Sequence, residues 1–457
     1  MDLLRFPRRA TAALLALAMF AATLPSPAGA APQKVRFIRD AEIENIIRTY
    51  ATPLFQAAGL NPRTMQVFLI DDDRLNAFVT GGTRLFIHTG LLIRAEDPLE
   101  VIGVIAHETG HIQGGHIAAR IDEGRQAGKG LLISYALGLA AVLATGRGEL
   151  GLAALLGGQD IVLKNLLAYS RSHEQAADQA AIRLLQATEQ SPRGLLEFMR
   201  VLSGQEVLLS SNQDPYLRTH PLSIERVTFL EEQVALSPYA DKPASPELMA
   251  LHGRMRAKLI GFLRPLSQVY KTYPQDDPSL EARYALAIAY YRAASLDRAL
   301  PLIDGLLAEN PESPYFHELR GQMLFENGRL SEGLPNLETA VRLLPDAPQI
   351  RLLLARALLE TNDPALNGAA IEHLQVMVRD EPNNAFAWRL AATAYGRAGD
   401  DGMTALALAE AALASGEFAM AGVHADRALK VLASDSPYWL RASDVQNEAE
   451  RQAAKKR

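Results

Sequence analysis

The chain has 457 residues, of which 46 are basic and 52 acidic, so its formal net charge is -6, and none is cysteine. The absence of cysteine excludes disulfides, thiolate zinc sites, iron–sulfur clusters and a cysteine nucleophile. The mild acidity argues against nucleic acid as a partner. The length predicts two or three domains with cores of their own, and any metal site must use His, Asp and Glu side chains.

The first thirty residues have the pattern of a secretory signal peptide. Arg5, Arg8 and Arg9 precede an apolar run over residues 10–24, and an Ala-x-Ala pattern ends at Ala30. We therefore predict an exported protein that is cleaved after Ala30. The alternative is an uncleaved first segment, which would make the protein cytosolic or anchored in the inner membrane, but the run is short for a helix that spans a bilayer.

Residues 31–237 mix short strand-like runs with helical stretches and are predicted to form the first domain. Near its start, Asn76, Ala77 and Phe78 open one of two short strand patterns that flank a Gly-Gly turn. An exposed strand edge at this place can hold an extended peptide through main-chain hydrogen bonds. Ordinary sheet structure without such a role explains the same pattern.

An apolar run over 101–111 carries the strongest chemical signal of the chain, a His-Glu-x-x-His motif. On a buried helix, His107 and His111 are four residues apart and project from one face, which suits two nitrogen ligands of one zinc ion. Glu108 lies beside the first ligand, where it can act as general base on a metal-bound water. The motif therefore predicts a metallopeptidase, although it also occurs by chance.

A third protein ligand is required, and several side chains compete for this place. His116 is one residue too early for the extended motif and is interpreted as a residue at the helix end or behind a ligand. Glu174 and Asp178 are four apart on an Ala-rich helix, so one carboxylate can bind the metal and the other can orient a ligand imidazole. We assign Glu174 to the metal and Asp178 to the imidazole. His173 is a local rival that faces away from Glu174.

Residues 130–156 are largely apolar but are interrupted by Arg147 and Glu149. Neither half is long enough to span a bilayer. We expect a hairpin that packs on the first domain or touches a membrane surface.

The Pro-containing stretch 238–246 is predicted to be a linker, and residues 247–457 have an almost continuous helical pattern. Within that region, prolines follow amphipathic helices at spacings close to 34 residues, which resembles the tetratricopeptide repeat. We expect a partial repeat over 247–274 and an extra helix in an irregular fourth unit. The four full units are predicted at 280–313, 314–347, 348–384 and 385–433. Stacked repeats form a groove for peptides or protein partners, and a generic helical bundle is the alternative.

Taken together, the motifs resemble the HtpX/CAAX-prenyl-protease family of gluzincin metallopeptidases. The resemblance rests on His-Glu-Thr-Gly-His at 107–111 and on Ser-Arg-x-x-Glu-x-x-Ala-Asp at 170–178. With a signal peptide in front and repeats behind, the chain is similar to the periplasmic BepA-like subgroup. The resemblance implies an α+β fold: a mainly helical metallopeptidase domain with a small sheet, followed by an all-α repeat solenoid. It also implies one Zn²⁺ per chain, held by His107, His111 and Glu174.

The resemblance extends to two further segments. Residues 218–226 are similar to the family's Thr-His-Pro segment, which implies that His220 either gates the zinc ion or stabilises the transition state, and that Arg226 anchors the segment or joins the site. Asn76, Ala77 and Phe78 are similar to a family segment near the site and are assigned to substrate binding. Relatives of this subgroup carry disulfides that this chain cannot form.

The predicted function is that of an exported zinc endopeptidase that cleaves misassembled outer-membrane proteins. The repeats would bind clients or the outer-membrane protein assembly machinery. The alternative is a repeat-based chaperone or scaffold for outer-membrane protein assembly whose protease domain is latent.

Overall fold

The computed structural model describes residues 35–119, 171–203, 216 and 220–455. The elements of its N-terminal part, numbered over the described residues, form one hydrophobic core that includes the apolar faces of the first and third helices. They are β1 (Phe37–Ile38), α1 (Ala41–Ala57), β2 (Gln66–Ile70), β3 (Ala77–Thr80), β4 (Arg84–His88), α2 (Thr89–Arg94), α3 (Pro98–Gln113), α4 (Arg171–Ala187), α5 (Arg193–Ser203) and α6 (Ile224–Leu236).

The four described strands form a single mixed sheet in the order β1-β2-β4-β3. Strand β2 pairs parallel to β4, with Phe68 opposite Phe86, and β3 pairs antiparallel to β4, with Phe78 opposite Phe86. The three rings stack across the sheet with centroids 4.8 Å apart. Because β3 pairs only with β4 among the described strands, it forms an edge of the sheet.

Helix α3 carries the His-Glu-x-x-His motif, and its start is specified locally. Asp97 caps the helix, Glu100 completes a capping box and Pro98 occupies the first turn. Two glycines then let neighbouring helices approach closely. A Cβ at Gly103 would lie 2.7 Å from the backbone nitrogen of Leu195 in α5, and one at Gly110 would lie 2.8 Å from the carbonyl oxygen of Ala177 in α4. Helix α4 is therefore held against the histidine face of α3.

The rest of the described chain is helical and folds as consecutive helix pairs. Helix α7 (Pro246–Leu263) is followed by the short α8 (Leu266–Thr272) and packs mainly against α9 (Leu280–Arg292). The pairs are α9 with α10 (Leu296–Glu309), α11 (Pro314–Glu326) with α12 (Leu330–Leu343), α13 (Pro348–Glu360) with α14 (Asn367–Asp380), α15 (Ala385–Arg397) with α16 (Asp401–Ala414), and α17 (Phe418–Val431) with α18 (Pro437–Lys455). This architecture confirms the predicted fold class, a mainly helical domain with a small sheet followed by helical repeats.

The predicted irregular fourth unit has a simple origin. Its first two helices, α15 and α16, form an ordinary pair, and the expected extra helix is α17. Helix α17 packs against both α16 and α18 and shares a small core with them, so it continues the stack rather than distorting the fourth pair. The connection between α13 and α14 contains a short 3-10 turn at Pro364–Leu366, preceded by Asn362 in the left-handed region with φ 55°.

Helix α7 belongs to two cores at once. Met255 and Leu259 are buried in the core of the N-terminal domain, whereas Ala257 and Ile260 are buried in the core of the first repeats. His252, 1% exposed, donates from Nε2 to the Ala95 carbonyl oxygen at 2.9 Å, and its Nδ1 atom lies 3.3 Å from the Tyr50 hydroxyl oxygen. The helix thus fixes the first repeats on the N-terminal domain.

A second contact joins the start of α1 to the repeats through buried charges. We call Asp40, Glu42, Arg254, Lys258 and Tyr284 the joint cluster. The Lys258 ammonium lies 2.8 Å from Asp40 and 3.4 Å from Glu42, whose other partners are Arg254 at 2.9 Å and the Tyr284 hydroxyl at 2.8 Å. Glu42 is fully buried, so its charge is balanced entirely by protein groups.

Two predicted segments lie outside the described residues: the signal peptide at 1–30 and the apolar stretch at 130–156. Among the helices that the structure describes, none is both long and apolar enough to cross a membrane.

Candidate metal centre

The two histidines of α3 face each other across one helical turn, as their spacing predicts. Both are fully buried, and the Nε2 atoms of His107 and His111 lie 3.1 Å apart. Glu108, between them in sequence, is also fully buried. Its carboxylate lies near the backbone N–H of Val79 on the edge strand β3.

Helix α4 brings Glu174 to the same point. One carboxylate oxygen lies 3.4 Å from His107 Nε2 and the other lies 3.3 Å from His111 Nε2. Glu174 is fully buried. Helices α3 and α4 are separated by more than fifty residues of sequence, so the packing of the two glycines of α3 against its neighbours is what makes this approach possible.

His220 completes the group. Its Nδ1 atom lies 3.2 Å from Glu174 Oε1 and 3.4 Å from His107 Nε2, and its Nε2 atom lies 3.5 Å from Glu108 Oε1. We call His107, His111, Glu174 and His220 the ligand cluster. One potential ligand atom from each lies within 4.8 Å of all the others, and each residue is buried.

The chemistry of the ligand cluster fits a metal ion. The Nε2 atom of His107 lies 3.1 Å from His111 Nε2 and 3.4 Å from His220 Nδ1, and in each of these pairs at most one nitrogen can offer a proton to the other. A cation satisfies all the lone pairs at once. Three imidazoles and a carboxylate, without sulfur, make a donor set that suits zinc.

Asp178 and Arg226 support the cluster from behind. Asp178 lies 2.9 Å from His107 Nδ1, so it orients the ring whose Nε2 faces the cluster. Arg226, on α6 and 1% exposed, donates to both oxygens of Asp178 at 2.6 and 2.9 Å and lies 2.8 Å from Glu174. A single guanidinium thus anchors both acids of α4.

Comparison with known proteins places this geometry in a family. Residues 38–234 match the model of peptidase family M48. This part of the chain is an M48 peptidase domain. Tetratricopeptide-repeat models match residues 284–335 and 324–392. The chain is therefore a metalloprotease with C-terminal tetratricopeptide repeats, which confirms the family resemblance of the motifs.

Two curated relatives align over most of the chain. A protein of Yersinia pestis named beta-barrel assembly-enhancing protease is 26% identical over 406 residues, which is 86% of this chain and 81% of that protein. A protein of Escherichia coli K12 with the same name is 26% identical over 415 residues, covering 89% of this chain and 81% of the relative. Both alignments extend beyond the M48 domain into the repeats.

Burial and charge set the pKa values of the M48 site in opposite directions. Burial lowers the pKa of His107, but the Asp178 and Glu174 carboxylates outweigh it and raise the value to about 9. At His111 burial prevails and lowers the pKa well below its usual value. Burial raises the pKa of Glu108. Burial also acts to raise the pKa of Glu174, yet the imidazoles around it hold the value well below its ordinary range.

The structure places the two rival histidines outside the ligand cluster. His116 Nδ1 lies 2.9 Å from the Nδ1 atom of His111, on the side of the ring opposite the cluster. This position behind a ligand, just after the end of α3, agrees with the interpretation from sequence. His173 stacks on His116 with centroids 4.5 Å apart.

The residues assigned to substrate binding lie on the edge strand or just before it. Asn76 and Ala77 are buried, and Phe78 is partly exposed. The Oδ1 atom of Asn76 is buried and has no hydrogen-bond partner among the described residues. Strand β3 contacts α3, the helix that carries Glu108.

One neighbour of the site was missed by sequence reasoning. Tyr216 is fully buried and its ring stacks on His220 with centroids 4.4 Å apart and 20° between the planes. The only sequence signal was an aromatic residue four positions before the histidine, and such a spacing has no meaning unless the local backbone is known.

Proposed function

We propose that the protein is an exported zinc endopeptidase that cleaves misassembled outer-membrane proteins, with its repeats binding clients or assembly machinery. The observation that carries this proposal is the convergence of His107, His111, Glu174 and His220 next to the buried carboxylate of Glu108 in an M48 domain. Both curated relatives bear names that refer to β-barrel assembly and to proteolysis, and both alignments include the repeats.

In this proposal His107, His111 and Glu174 hold one Zn²⁺. When bound, the ion supplies Lewis-acid chemistry that polarises a carbonyl group and acidifies water. Glu108 takes the proton of the attacking water and delivers it to the leaving amine. Its burial supports this role, because a carboxyl group whose pKa is raised can both accept and return a proton near neutral pH. Asp178 and Arg226 keep the ligands in place.

His220 has two candidate roles in the proposal. With Nδ1 towards Glu174 and His107, it can occupy the fourth ligand position and gate access to it. With Nε2 3.5 Å from Glu108, it blocks the approach of a substrate to the base. Movement away from this position would open the site, and a displaced imidazole could then stabilise the charge that develops on the carbonyl oxygen.

A client would bind as an extended strand. The edge strand β3 ends in Val79 and Thr80, and the backbone N–H of Val79 is next to Glu108. A peptide added antiparallel or parallel to this edge passes the carboxylate directly. Asn76, Ala77 and Phe78 would then contact it, and the buried Asn76 Oδ1 offers an acceptor.

Export with cleavage after Ala30, a periplasmic location and membrane contact through 130–156 belong to the same proposal. They rest on the sequence pattern and on the names of the relatives. Proteins with such clients work beside the outer membrane, where a signal peptide would deliver them.

The proposal is tested with Glu108→Gln in the mature chain, using an unfolded outer-membrane β-barrel protein and an unfolded helical protein of equal length as substrates. We expect the variant to lose about 10²- to 10⁴-fold in the rate of cleavage, the usual contribution of a general base. Glu100→Gln is the matched control, because it changes the same residue type on the same helix and a glutamine preserves the capping box. An unchanged rate in Glu108→Gln would contradict the proposed mechanism.

Two further outcomes concern the biological role. Equal cleavage of both unfolded proteins would contradict the proposed client class. If cells that produce Glu108→Gln assemble their outer-membrane proteins normally, the scaffold alternative accounts for the biological role.

A further inference from the structure

Tyr216 occupies a position between the M48 core and His220. Phe198 of α5, 2% exposed, packs edge-on against the Tyr216 ring with centroids 5.2 Å apart. The opposite face of the tyrosine lies nearly parallel to the imidazole of His220 at 4.4 Å. The Tyr216 carbonyl oxygen also accepts a hydrogen bond from the His220 backbone N–H at 2.7 Å. The aromatic contact thus links the rigid helix α5 to the imidazole.

The backbone that follows His220 is held by a hydrogen bond from Arg226. The Pro221 carbonyl oxygen accepts a hydrogen bond of 2.8 Å from Arg226, the same guanidinium that grips Asp178. Arg226 therefore fixes the backbone that follows His220, whereas the Tyr216 ring lies flat against the imidazole itself. Because the imidazole can rotate about its side-chain bonds, the stacked ring restrains the plane of the imidazole, and in this plane Nδ1 lies towards Glu174 and Nε2 towards Glu108.

We propose that Tyr216 is the positioning residue that holds His220 in the ligand cluster. The inference rests on the proposed zinc site and deepens it. Stacking on Tyr216 stabilises the arrangement in which His220 fills the fourth ligand position and covers Glu108. Loss of the flat ring shifts His220 towards positions away from the cluster, which opens the fourth position to an exogenous ligand. An exogenous ligand then binds more tightly, because its apparent affinity scales with the fraction of molecules in the open state.

The test uses the full mature chain loaded with Co²⁺, whose visible absorption reports the number and type of ligands. Tyr216→Leu removes the flat ring and retains an apolar side chain, Tyr216→Phe retains the ring and removes the hydroxyl, and His220→Ala defines the spectrum without the fourth ligand. We expect Tyr216→Phe to match the wild type and Tyr216→Leu to shift towards His220→Ala. We also expect Tyr216→Leu to bind acetohydroxamate about 2- to 10-fold more tightly than the wild type, the range that an aromatic pair contributes.

Tyr50→Leu is the matched control, because Tyr50 is another tyrosine buried in the same core but away from His220. Its spectrum should stay that of the wild type, so a general loosening of the core cannot produce the expected result. If Tyr216→Leu does not fold, Tyr216→Met serves in its place, since methionine fills irregular space without a flat ring.

A wild-type spectrum and hydroxamate affinity in a folded Tyr216→Leu or Tyr216→Met variant would overturn the role of Tyr216. A shift as large in Tyr216→Phe as in Tyr216→Leu would also overturn it, because the ring would then not be the part that matters. Failure of the proposed function gives a different result: the wild type itself would show no bands of bound cobalt.

Discussion

The protein buries charge in two places, and the two differ in how the charges are arranged. In the joint cluster, each acid meets a cation or a hydroxyl: Lys258 contacts Asp40 and Glu42, and Tyr284 donates to Glu42. In the ligand cluster, ring nitrogens of His107, His111 and His220 face one another around a single carboxylate. The ligand cluster is fully buried and the joint cluster largely so, but only in the joint cluster does each carboxylate face a cation or a hydroxyl of the same cluster.

This difference separates a structural ion network from a ligand site. A buried charge costs free energy unless donors and acceptors match, so a matched group needs nothing further. A group of acceptors that point at one another needs a cation. The direction of the lone pairs is what distinguishes the two places.

The largest predicted effect is the loss of zinc affinity when the carboxylate of the ligand cluster is removed. In Glu174→Ala the three imidazoles lose the one carboxylate that they share, and we expect zinc affinity to fall by more than about 100-fold, beyond the effect of losing a supporting group. Metal analysis of the purified protein after dialysis measures this. Glu197→Ala, at a half-exposed position on α5, should keep its metal. Retention of one zinc per chain in Glu174→Ala would contradict the assignment of the third ligand.

Removal of the cation of the joint cluster should lower the free energy of unfolding and leave the metal content unchanged. Lys258→Met leaves Asp40 and Glu42 without their shared ammonium, and we expect the free energy of unfolding to fall by about 3–5 kcal/mol. Denaturant titration measures the change, and metal content should remain that of the wild type. The control is Arg200→Met, which breaks an exposed pair with Glu197 and Glu231 and should cost less than about 1 kcal/mol. Loss of metal together with stability would show that the two clusters are not separate.

A smaller effect is expected from the support behind the ligands. Asp178→Asn removes the charge that faces His107 Nδ1, and we expect zinc affinity to fall by about 10- to 100-fold, as for other partners of metal-bound histidines. Competition with a chelator measures the affinity. Asp73→Asn disrupts an exposed pair with Arg264 and serves as the control. Unaltered affinity in Asp178→Asn would mean that Arg226 alone positions α4.

The smallest predicted effect is a pH-dependent change in stability at Glu318, which lies close to the joint cluster. Burial raises the pKa of Glu318 to about 7, with Asp40 and Glu42 adding to the rise and Lys258 opposing it. This value lies above the ordinary pKa of about 4.3 for a glutamate in an unfolded chain. The stabilising contribution of protonated Glu318 is therefore fully present below about pH 4.3 and is lost as the pH rises through about 7.

We therefore expect Glu318→Gln to be more stable than the wild type at pH 8, by on the order of 1–2 kcal/mol, and equal to it at pH 4. Thermal or denaturant unfolding at the two pH values checks the difference. Glu312→Gln, at an exposed position just before α11, the helix that carries Glu318, should show no such change. A constant difference between Glu318→Gln and the wild type across this pH range would contradict the raised pKa.

Much of the fold and site could be predicted because it is encoded locally. The faces of α3 and α4 follow from a helical period of 3.6 residues, so the pairs His107 with His111 and Glu174 with Asp178 could be found from spacing alone. The repeats could be found because small residues and prolines recur at a fixed period. The helix α17 was expected, but its pairing with α18 was not, since the period is lost near the end of the chain.

The sequence by itself determined the chemistry: a chain without cysteine, two histidines and a glutamate at ligand spacing, and a repeat array. Only the tertiary structure placed the His220 imidazole beside His107 and Glu174 and the Arg226 guanidinium against both acids of α4. It alone placed Tyr216 on His220 and the start of α1 against the repeats. These contacts link residues that are far apart in the chain or separated by irregular backbone. They depend on how helices pack, and no periodicity of the sequence specifies that packing.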